Sequence, residues 1–444
     1  MVKLIQAVDK YRTMILEAER YIWKHPETGY REVNTSKYME EKFEALGYEL
    51  VRAGDIPGFY TILDTGRPGP EVLVLGELDS LIVPTHPEAD PETGYVHACG
   101  HHAQCAALLG IAAALKEEGA CDKLSGRIRL CAVPAEELIE VGYRTELKKK
   151  GIIKYFGGKG EFLYRGYFDG VDIAFMVHTS SDRFYAIAGG VGCLAKTVYY
   201  KGLSAHAGCS PWDGTNALYA ATQGLSAANA IRETFQEKDI IRFHPIITEG
   251  GQVVNAIPEQ VTIESYVRGN SFEAIKSANK RINQALCGGA LSMGANIEII
   301  DMPGYAPLKN DKNMIALTKD AADLAIPEEK FAVSDGISSG STDMAELCGL
   351  IPVIHPYAAG AKGVAHSADY YIADPEKACV KSAKMQLGML YLLLENNCKR
   401  AKEIIADFTP AFESKEAYFA YIDDMFSEGD RITYKEDGTA EIRL

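Results

Sequence analysis

The chain has 444 residues, too many for one ordinary hydrophobic core, and its 47% hydrophobic and 24% charged residues are typical of a globular protein. Its formal net charge of -15 argues against general binding to nucleic acids, whose phosphates would be repelled. The sequence has no apolar run of about 18 residues, so we expect no membrane-spanning segment, and we expect no signal peptide because the first residues lack its apolar block. The ten cysteines show no tight pairing, which favours reduced thiols in a cytoplasm.

The first half of the chain predicts helices alternating with strands. Apolar and charged residues alternate at helical spacing over 4–24, and Asn34-Thr35-Ser36 are suited to cap a second helix, Lys37 to Leu46. A buried small-residue helix is predicted after Gly100, and apolar runs predict strands at Tyr60–Leu63, Glu71–Gly76, Ile128–Pro134 and Val171–His178. This alternation predicts an α/β fold with a mostly parallel sheet sandwiched by helices.

The pattern changes at Gly189, where a β-α-β-β-α-β order begins. Its elements are predicted at Leu194–Tyr200, Asn216–Glu233, Ile241–Thr248, Gln260–Val267, Phe272–Cys287 and Asn296–Ile300. This order is typical of a ferredoxin-like α+β domain with a four-stranded open sheet and two helices. We therefore interpret residues 189–305 as an inserted domain, with the host domain formed by residues 1–188 and 306–444, the latter ending in a C-terminal extension.

The segment HACGHH is the first candidate for chemistry. It places Cys99 two residues before His101, with His97 and His102 on either side. A cysteine and a histidine at this spacing can face one metal ion, and thiolate and imidazole are good zinc ligands. A loop rich in small polar residues would look the same, so this pair alone leaves both interpretations open.

The segment PAEE places Glu136 and Glu137 at the end of the strand Ile128–Pro134. Adjacent carboxylates repel each other unless a positive charge neutralises them, as a metal pair would. One glutamate could then bind metal while the other acts as a general base. The alternative is a helix N-terminus, where glutamate is favoured by the dipole.

Two further histidines fit the same location. His178 ends the predicted strand Val171–His178, and His366 lies in AKGVAHSADY. In open α/β sheets, ligand-binding groups lie beyond the carboxyl ends of the strands. Cys99, Glu137 and His178 all fit that edge.

Ordered motifs make the chain resemble the dinuclear metallopeptidase and amidohydrolase family, which includes aminoacylase, carboxypeptidase G, hippurate hydrolase and the plant auxin-conjugate hydrolases. The matching segments, in family order, are WKHPETGYREVNTSKYM, GELDSL, HACGHHAQCAALLG, PAEE, MVH, KGLSAHAGCSPWDGTNAL, GGQVVNAIPEQVTIESYVRG, SGSTDMAEL and AHS. The inserted domain coincides with the family's lid, or dimerisation, domain. The resemblance therefore implies a homodimer formed through that domain.

The resemblance also implies roles in the host domain. Five residues match ligands of two divalent ions, with Zn or Mn expected and Co or Ni as further options, namely Cys99, His101, Glu137, His178 and His366. Glu136 matches the general base that takes a proton from metal-bound water and delivers it to the leaving amine. Asp79 matches a carboxylate that orients a residue of the metal loop.

Three residues of the lid match substrate-contacting positions of the family. His206 matches a residue that stabilises the tetrahedral oxyanion, often across a dimer interface. Asn255 and Arg268 match positions that hold the carboxylate of the substrate, and the bidentate fork of arginine suits this. The residue types alone also allow turn residues at His206 and Asn255 and a surface charge at Arg268.

The sequence departs from the family in two places. His102 and Gln104 stand where the amidohydrolase branch usually has an aspartate and a histidine. The segment 138–156, with Lys148-Lys149-Lys150, is longer than the expected turn. The stretch that follows it, GGKGEFLYRGYFDGVDIAFMVH, together with STDMAE and IHPY, resembles the p-aminobenzoyl-glutamate hydrolase branch and its relatives that act on dipeptides. The lysine run is interpreted as a solvated helix face, with closure over an acidic substrate as the alternative.

We expect an enzyme that hydrolyses an amide bond in a small carboxylate-bearing molecule, such as an N-acyl amino acid, an aminobenzoyl-glutamate-like compound or a dipeptide. The altered metal loop keeps open a non-catalytic protein that binds a metal or small molecule. A zinc-dependent deaminase is the third alternative, but the chain lacks its H-x-E and P-C-x-x-C signature.

Overall fold

The computed structural model describes residues 2–444, in which helices and strands alternate through most of the chain. The helices are α1 (Val2–Lys10), α2 (Arg12–Trp23), α3 (Val33–Ala45), α4 (His101–Leu115), α5 (Val141–Lys149), α6 (Gly158–Tyr164), α7 (Ala217–Ala230), α8 (Phe272–Ser292), α9 (Lys312–Ala325), α10 (Ala345–Cys348), α11 (Ser382–Leu394), α12 (Lys399–Asp407) and α13 (Lys415–Asp423). The strands are β1 (Val51–Arg52), β2 (Phe59–Asp64), β3 (Glu71–Glu77), β4 (Leu81–Ile82), β5 (Tyr95–Val96), β6 (Arg127–Val133), β7 (Ile173–Phe175), β8 (His178–Ser180), β9 (Phe184–Gly190), β10 (Gly192–Lys201), β11 (Arg242–Phe243), β12 (Ile246–Glu249), β13 (Gln260–Gly269), β14 (Asn296–Pro303), β15 (Leu308–Lys309), β16 (Phe331–Ser338), β17 (Val353–Ile354), β18 (Tyr357–Ala359), β19 (Ala361–Lys362), β20 (Tyr371–Ile372), β21 (Ser427–Asp430), β22 (Ile432–Tyr434) and β23 (Ala440–Ile442).

The chain folds into two compact units. The first unit runs from the N-terminus to Gly189 and includes Lys309–Ile337 and Thr342–Lys415; the second contains Gly190–Leu308, Ser338–Ser341 and Glu416–Leu444. The sequence-based boundaries assigned all of 306–444 to the host domain, which is wrong for the C-terminal residues. They belong to the second unit because β21 pairs with β14 and extends its sheet.

The main sheet of the first unit has the strand order β1-β2-β6-β3-β7-β17. Strands β6, β3, β7 and β17 run parallel, while β2 is antiparallel to β6. The apolar run of β3 is buried in every residue, as expected for a strand covered on both faces. Helix α4, rich in small residues and also buried throughout, packs on β3. The predicted α/β fold with a mostly parallel sheet is confirmed.

The sheet of the second unit is antiparallel and has the order β11-β13-β10-β14-β21, with β12 also paired to β13. Helices α7 and α8 pack against each other and contribute to its hydrophobic core. The strand predicted at Ile241–Thr248 is divided into β11 and β12 at Pro245, which has no N–H to donate to a strand ladder. Together with β21, this division gives a wider sheet than the four strands predicted.

Two local predictions at the N-terminus need correction. The helix predicted over 4–24 is divided at Tyr11 into α1 and α2. Helix α3 begins at Val33, before Asn34-Thr35-Ser36, because the carboxylate of Glu27 accepts the backbone N–H groups of Asn34 (3.0 Å) and Thr35 (2.8 Å). A glutamate from the preceding turn thus satisfies N–H groups that the first turn of a helix leaves unpaired.

The predicted strand Val171–His178 is also shorter than expected. Only Ile173–Phe175 pair within the main sheet, and His178 begins β8, which pairs with β18 in another sheet. Within residues 2–444, no helix has both the length and the apolar character needed to cross a bilayer.

Candidate metal centre

Polar side chains follow three neighbouring parallel strands of the first unit, beyond their carboxyl ends. Strand β3 ends at Glu77, two residues before Asp79; β6 leads into Glu136 and Glu137; and β7 is followed by His178. Because β6, β3 and β7 are adjacent and parallel, these side chains are directed to one edge of the sheet.

Two sets of potential metal-binding side chains adjoin at this edge. The ligand atoms of Cys99, His101 and His178 lie within 4.8 Å of one another, as do those of Cys99, Glu137 and His366. Cys99 Sγ lies 3.3 Å from His178 Nε2, and Glu137 Oε1 lies 3.2 Å from His366 Nε2. The structure therefore brings the five predicted ligands together in two sets that share Cys99.

The metal loop depends on glycine at position 100. Gly100 has a left-handed φ of 95° and precedes helix α4 at His101. A Cβ at this position would overlap the hydroxyl groups of Thr179 and Tyr370. Glycine thus allows the chain to turn sharply between Cys99 and His101, so that both residues face the same place.

Asp79 connects the two loops that carry these side chains. His101 Nδ1 lies 3.0 Å from Asp79 Oδ1, and the backbone N–H of Glu137 donates to Asp79 Oδ2 at 2.8 Å. His178 Nδ1 in turn lies 3.0 Å from the carbonyl oxygen of Thr179. With Nδ1 engaged in this way, each imidazole leaves Nε2 as its ligand atom.

The two adjacent glutamates have opposite electrostatic environments. Burial raises the pKa of Glu136 well above its ordinary value, and the neighbouring charges of Glu77 and Glu137 raise it further. Burial also acts to raise the pKa of Glu137, but the hydrogen bond and charge of His366 outweigh it and lower that pKa to about 2. Such a divergence is typical of carboxylates with different chemical roles.

The donor atoms at this edge fit divalent ions. Glu137 Oε1 and His101 Nε2 are buried ligand atoms, and each lies within about 3.2 Å of one other side chain at this edge, His366 and Glu77 respectively. Burial raises the pKa of the Cys99 thiol, so the thiolate form requires a cation nearby. A set of one thiolate, three imidazoles and one carboxylate suits zinc in particular.

A buried polar network that the sequence did not reveal adjoins these sets. Glu77 Oε2 accepts a hydrogen bond from Gln104 Nε2 (2.8 Å) and lies 3.1 Å from His101 Nε2. Glu77 Oε1 lies 2.5 Å from Lys159 Nζ, and this ammonium also pairs with Asp343. Gln104, one of the departures from the family pattern, is thus a neutral donor to Glu77, and Lys159 supplies the positive charge.

The segment 138–156 packs behind the glutamate pair. Its helix α5 carries Arg144, which is buried and donates to the carbonyl oxygens of Glu137 and Phe156. The run Lys148-Lys149-Lys150 at the end of the helix is exposed, as expected for a solvated face. The extra length of this segment therefore supplies a support for the backbone of PAEE.

The remaining predicted site residues lie in the second unit. His206 is exposed, and its Nδ1 accepts the backbone N–H groups of Gly208 (3.1 Å) and Cys209 (3.0 Å). The loop of Asn255 adjoins it, because the N–H of Ala207 donates to the Asn255 carbonyl at 2.9 Å. With Nδ1 of His206 an acceptor, its Nε2 carries the proton and can donate.

Arg268 lies on β13 and is half-buried. Its guanidinium contacts His244 Nε2 (3.2 Å), the Ser341 hydroxyl (3.3 Å) and the carbonyl oxygen of Ser339 (3.4 Å). These are neutral partners, so the charge of Arg268 is not neutralised by them.

Comparisons with known proteins identify the family. The profile of peptidase family M20/M25/M40 matches residues 73–391. An Xaa-Arg dipeptidase of Mus musculus is 27% identical over 422 residues, covering 91% of this chain and 88% of that protein. One of the p-aminobenzoyl-glutamate hydrolase chains of Escherichia coli (strain K12) is 30% identical over 262 residues, 55% of each chain.

A solved structure supports the same assignment at the level of the fold. The Bacillus subtilis dinuclear metal binding peptidase from the M20 family has a TM-score of 0.65 at 21% identity, covering 87% of this chain and 99% of that one. The predicted resemblance is thereby confirmed. Because the family profile spans most of the sequence, the chain belongs to peptidase family M20/M25/M40 and is a hydrolase of the kind that acts on amide bonds.

Proposed function

We propose that this chain is a two-metal amidohydrolase or exopeptidase in which Glu136 is the general base. The observation that carries the proposal is the place of Glu136 next to residues of both predicted ligand sets. It directly precedes Glu137 of one set, and its Oε2 lies 3.8 Å from Nε2 of His101 in the other. It is buried, and it is not one of the five predicted ligands.

The proposed metal ligands are Cys99, His101 and His178 for one ion, and Cys99, Glu137 and His366 for the other. Bound there, two divalent ions would polarise the amide carbonyl and lower the pKa of water. Glu136 then accepts a proton from the attacking water and passes it to the leaving amine nitrogen. Asp79 holds the loops of His101 and Glu137 in place through its two oxygens. We propose zinc as the metal because of the thiolate, with manganese, cobalt and nickel as competitors.

The proposed substrate is a small amide with a free carboxylate. A dipeptide is supported by the Xaa-Arg dipeptidase, and an aminobenzoyl-glutamate-like compound by the hydrolase chain from Escherichia coli. N-Acyl amino acids are supported by an N-acetyl-L-cysteine deacetylase of Bacillus subtilis that is 26% identical over 324 residues. We assign the carboxylate to Asn255 and Arg268, and stabilisation of the oxyanion to the Nε2–H of His206.

Replacement of Glu136 tests the proposal. We expect Glu136→Gln to lower kcat on such substrates roughly 10²- to 10⁴-fold, because the proton transfer is lost, while metal content stays that of the wild type. Glu146→Gln is a matched control, because Glu146 lies on the surface of α5 and pairs with Lys149. Unchanged turnover in Glu136→Gln would exclude this residue as the base, and absence of any hydrolysis by the wild type would favour a non-catalytic binding protein.

We also propose a homodimer formed through the second unit. Strand β12 pairs only with β13 in the part of the chain described, and all its residues are exposed, including Ile246 and Ile247. Val253 and Val254 are exposed nearby in sequence. An open edge strand with apolar side chains favours pairing with another chain. Light scattering of the wild type and of Ile246→Lys should give dimer and monomer masses.

A cytoplasmic location is proposed from the cysteines. Within residues 2–444 none of the ten forms a disulfide, and Cys209 lies on the surface. Free exposed thiols are compatible with a reducing compartment. We propose that the protein binds neither nucleic acid nor membranes, in keeping with its net charge of -15.

A further inference from the structure

A third group of potential ligands overlaps the predicted metal centre. The ligand atoms of Glu77, His101 and Glu136 lie within 4.8 Å of one another, and all three residues are buried. His101 Nε2 is 3.1 Å from Glu77 Oε2 and 3.8 Å from Glu136 Oε2. Two carboxylates and an imidazole at this spacing form an attractive site for a divalent cation.

Occupation of this third group would disable the proposed centre. A cation held by the carboxylates of Glu77 and Glu136 would lie beside His101, which also belongs to the set of Cys99 and His178, and would repel the ion proposed for that set. It would also engage the carboxylate of Glu136, which could then no longer accept a proton. The active arrangement therefore needs a feature that directs metal ions away from this group.

Lys159 lies beside this group and carries a positive charge that can repel a metal ion. Its ammonium group is fully buried, 2.5 Å from Glu77 Oε1, and it also pairs with Asp343. The backbone N–H of Lys159 donates to the second oxygen of Asp343 at 2.9 Å, which fixes this residue at the start of α6. A cation fixed beside Glu77 repels a divalent ion at the same carboxylate, and burial makes this repulsion strong.

We propose that Lys159 is an internal cation that excludes a metal ion from the Glu77, His101 and Glu136 group and so keeps Glu136 available. Lys159 is a positioning residue, since it acts through Glu77. The inference rests on the proposed function, because it takes Glu136 as the general base. The effect of Lys159 on metal binding can be measured without following catalysis.

Two double variants isolate this effect. Lys159→Met/Asp343→Asn and Lys159→Met/Glu77→Gln each remove one cation and one carboxylate from the same buried network. Only the first double variant, which carries Asp343→Asn, keeps Glu77, His101 and Glu136 as potential ligands. Metal-free protein is titrated with zinc by equilibrium dialysis, and bound metal is counted by elemental analysis. We expect the first variant to bind about one zinc ion per chain more than the second; equal counts would overturn the proposal.

Further variants separate exclusion from a general structural role. Lys159→Arg keeps the cation and should keep the zinc count of the wild type. Lys196→Met removes a buried lysine from the second unit, where it pairs with Asp301, and should also leave the count unchanged. A raised count in either variant contradicts the proposal. The wild type provides a test that needs no substitution, because a third zinc ion bound at excess zinc would contradict exclusion.

Failure of the inference and failure of the proposed function give different results. Hydrolysis by the wild type with equal zinc counts in the two double variants rejects only the role of Lys159. An additional zinc ion in the first double variant, together with no amide hydrolysis by the wild type, supports exclusion and rejects the proposed function.

Discussion

Each unit of the molecule contains a fully buried lysine, and the two lysines have different surroundings. In the second unit, Lys196 on β10 pairs with Asp301 on β14 and donates to Asn283 Oδ1 at 2.6 Å. Asp301 is further bound by the amides of Asn279 and Asn283, each at 2.8 Å. One cation and one carboxylate thus neutralise each other in a network closed by amide groups.

In the first unit, Lys159 faces a surplus of carboxylates. Burial lowers the pKa of Lys196 despite Asp301. Burial acts on Lys159 in the same direction, but the charges of Asp343, Glu77 and Glu136 outweigh it and raise the pKa. The Lys196–Asp301 pair, with one charge of each sign, has a structural role. The buried carboxylates around Lys159 outnumber its single positive charge, which indicates a site where further cations bind. The comparison therefore distinguishes a structural ion pair from a chemical site.

The largest expected effect is the loss of metal after replacement of Cys99. Because Cys99 belongs to both predicted ligand sets, Cys99→Ala should abolish high-affinity binding of both ions. His366→Ala should remove only one ion, since His366 belongs to one set. Zinc analysis after dialysis checks both counts. A wild-type zinc content in Cys99→Ala would show that Cys99 is not the ligand shared by the two ions.

The second largest effect is on stability in the second unit. Lys196→Met leaves Asp301 buried without its cation and should lower the free energy of unfolding by about 3–5 kcal/mol, measured by denaturant titration. Lys201→Met on the same strand is the control, because Lys201 is partly exposed beside Glu298 and Asp430 and should cost about 0–1 kcal/mol. Similar losses in the two variants would refute a structural role for the Lys196 pair.

A smaller effect is expected when Asp79 loses its charge. Asp79→Asn keeps the shape of the side chain but weakens its hold on His101 Nδ1 and on the backbone N–H of Glu137. We expect metal affinity to fall roughly 10- to 100-fold, measured by competition with a chelator of known affinity. An affinity equal to that of the wild type would show that the two loops are positioned by other contacts.

The smallest effect concerns the loss of stability of the second unit at acidic pH. Burial acts to raise the pKa of Asp301, but Lys196 and the asparagine amides outweigh it and lower that pKa below 3.8. The stabilisation by Asp301 is therefore present above about pH 3.9 and is lost as the pH falls through the lowered value, with a slope of at most about 1.4 kcal/mol per pH unit. Lys196→Met/Asp301→Asn should lack this part of the acid dependence. An identical acid dependence in the two proteins would contradict it.

The sequence allowed prediction of those features that depend on residues close together in the chain. Cys99 and His101 share one motif, Glu136 and Glu137 another, and apolar runs marked the strands that direct them to one edge. The role of Lys159 could not be predicted, since its partners Glu77 and Asp343 are 82 and 184 residues away in the chain. A single lysine in a glycine-rich segment has no periodicity that indicates burial.

The same distinction applies to the fold. Strand β21 has the sequence SEGD, which lacks the apolar alternation of a strand, and it forms by pairing with β14. The early start of α3 depends on the carboxylate of Glu27, outside the segment whose residues suggested a cap. Tertiary hydrogen bonds decided these boundaries, whereas the parallel core followed from continuous apolar strands.

The central claim, hydrolysis of amides by a two-metal centre, is tested most directly by titrating metal-free wild type with zinc while following hydrolysis of Xaa-Arg dipeptides, aminobenzoyl-glutamate and N-acyl amino acids. We expect hydrolysis of at least one of these substrates to appear as the zinc content approaches two ions per chain, the number expected from the two sets that share Cys99. Full loading with two ions without hydrolysis of any of them, or equal hydrolysis without metal, would contradict the claim.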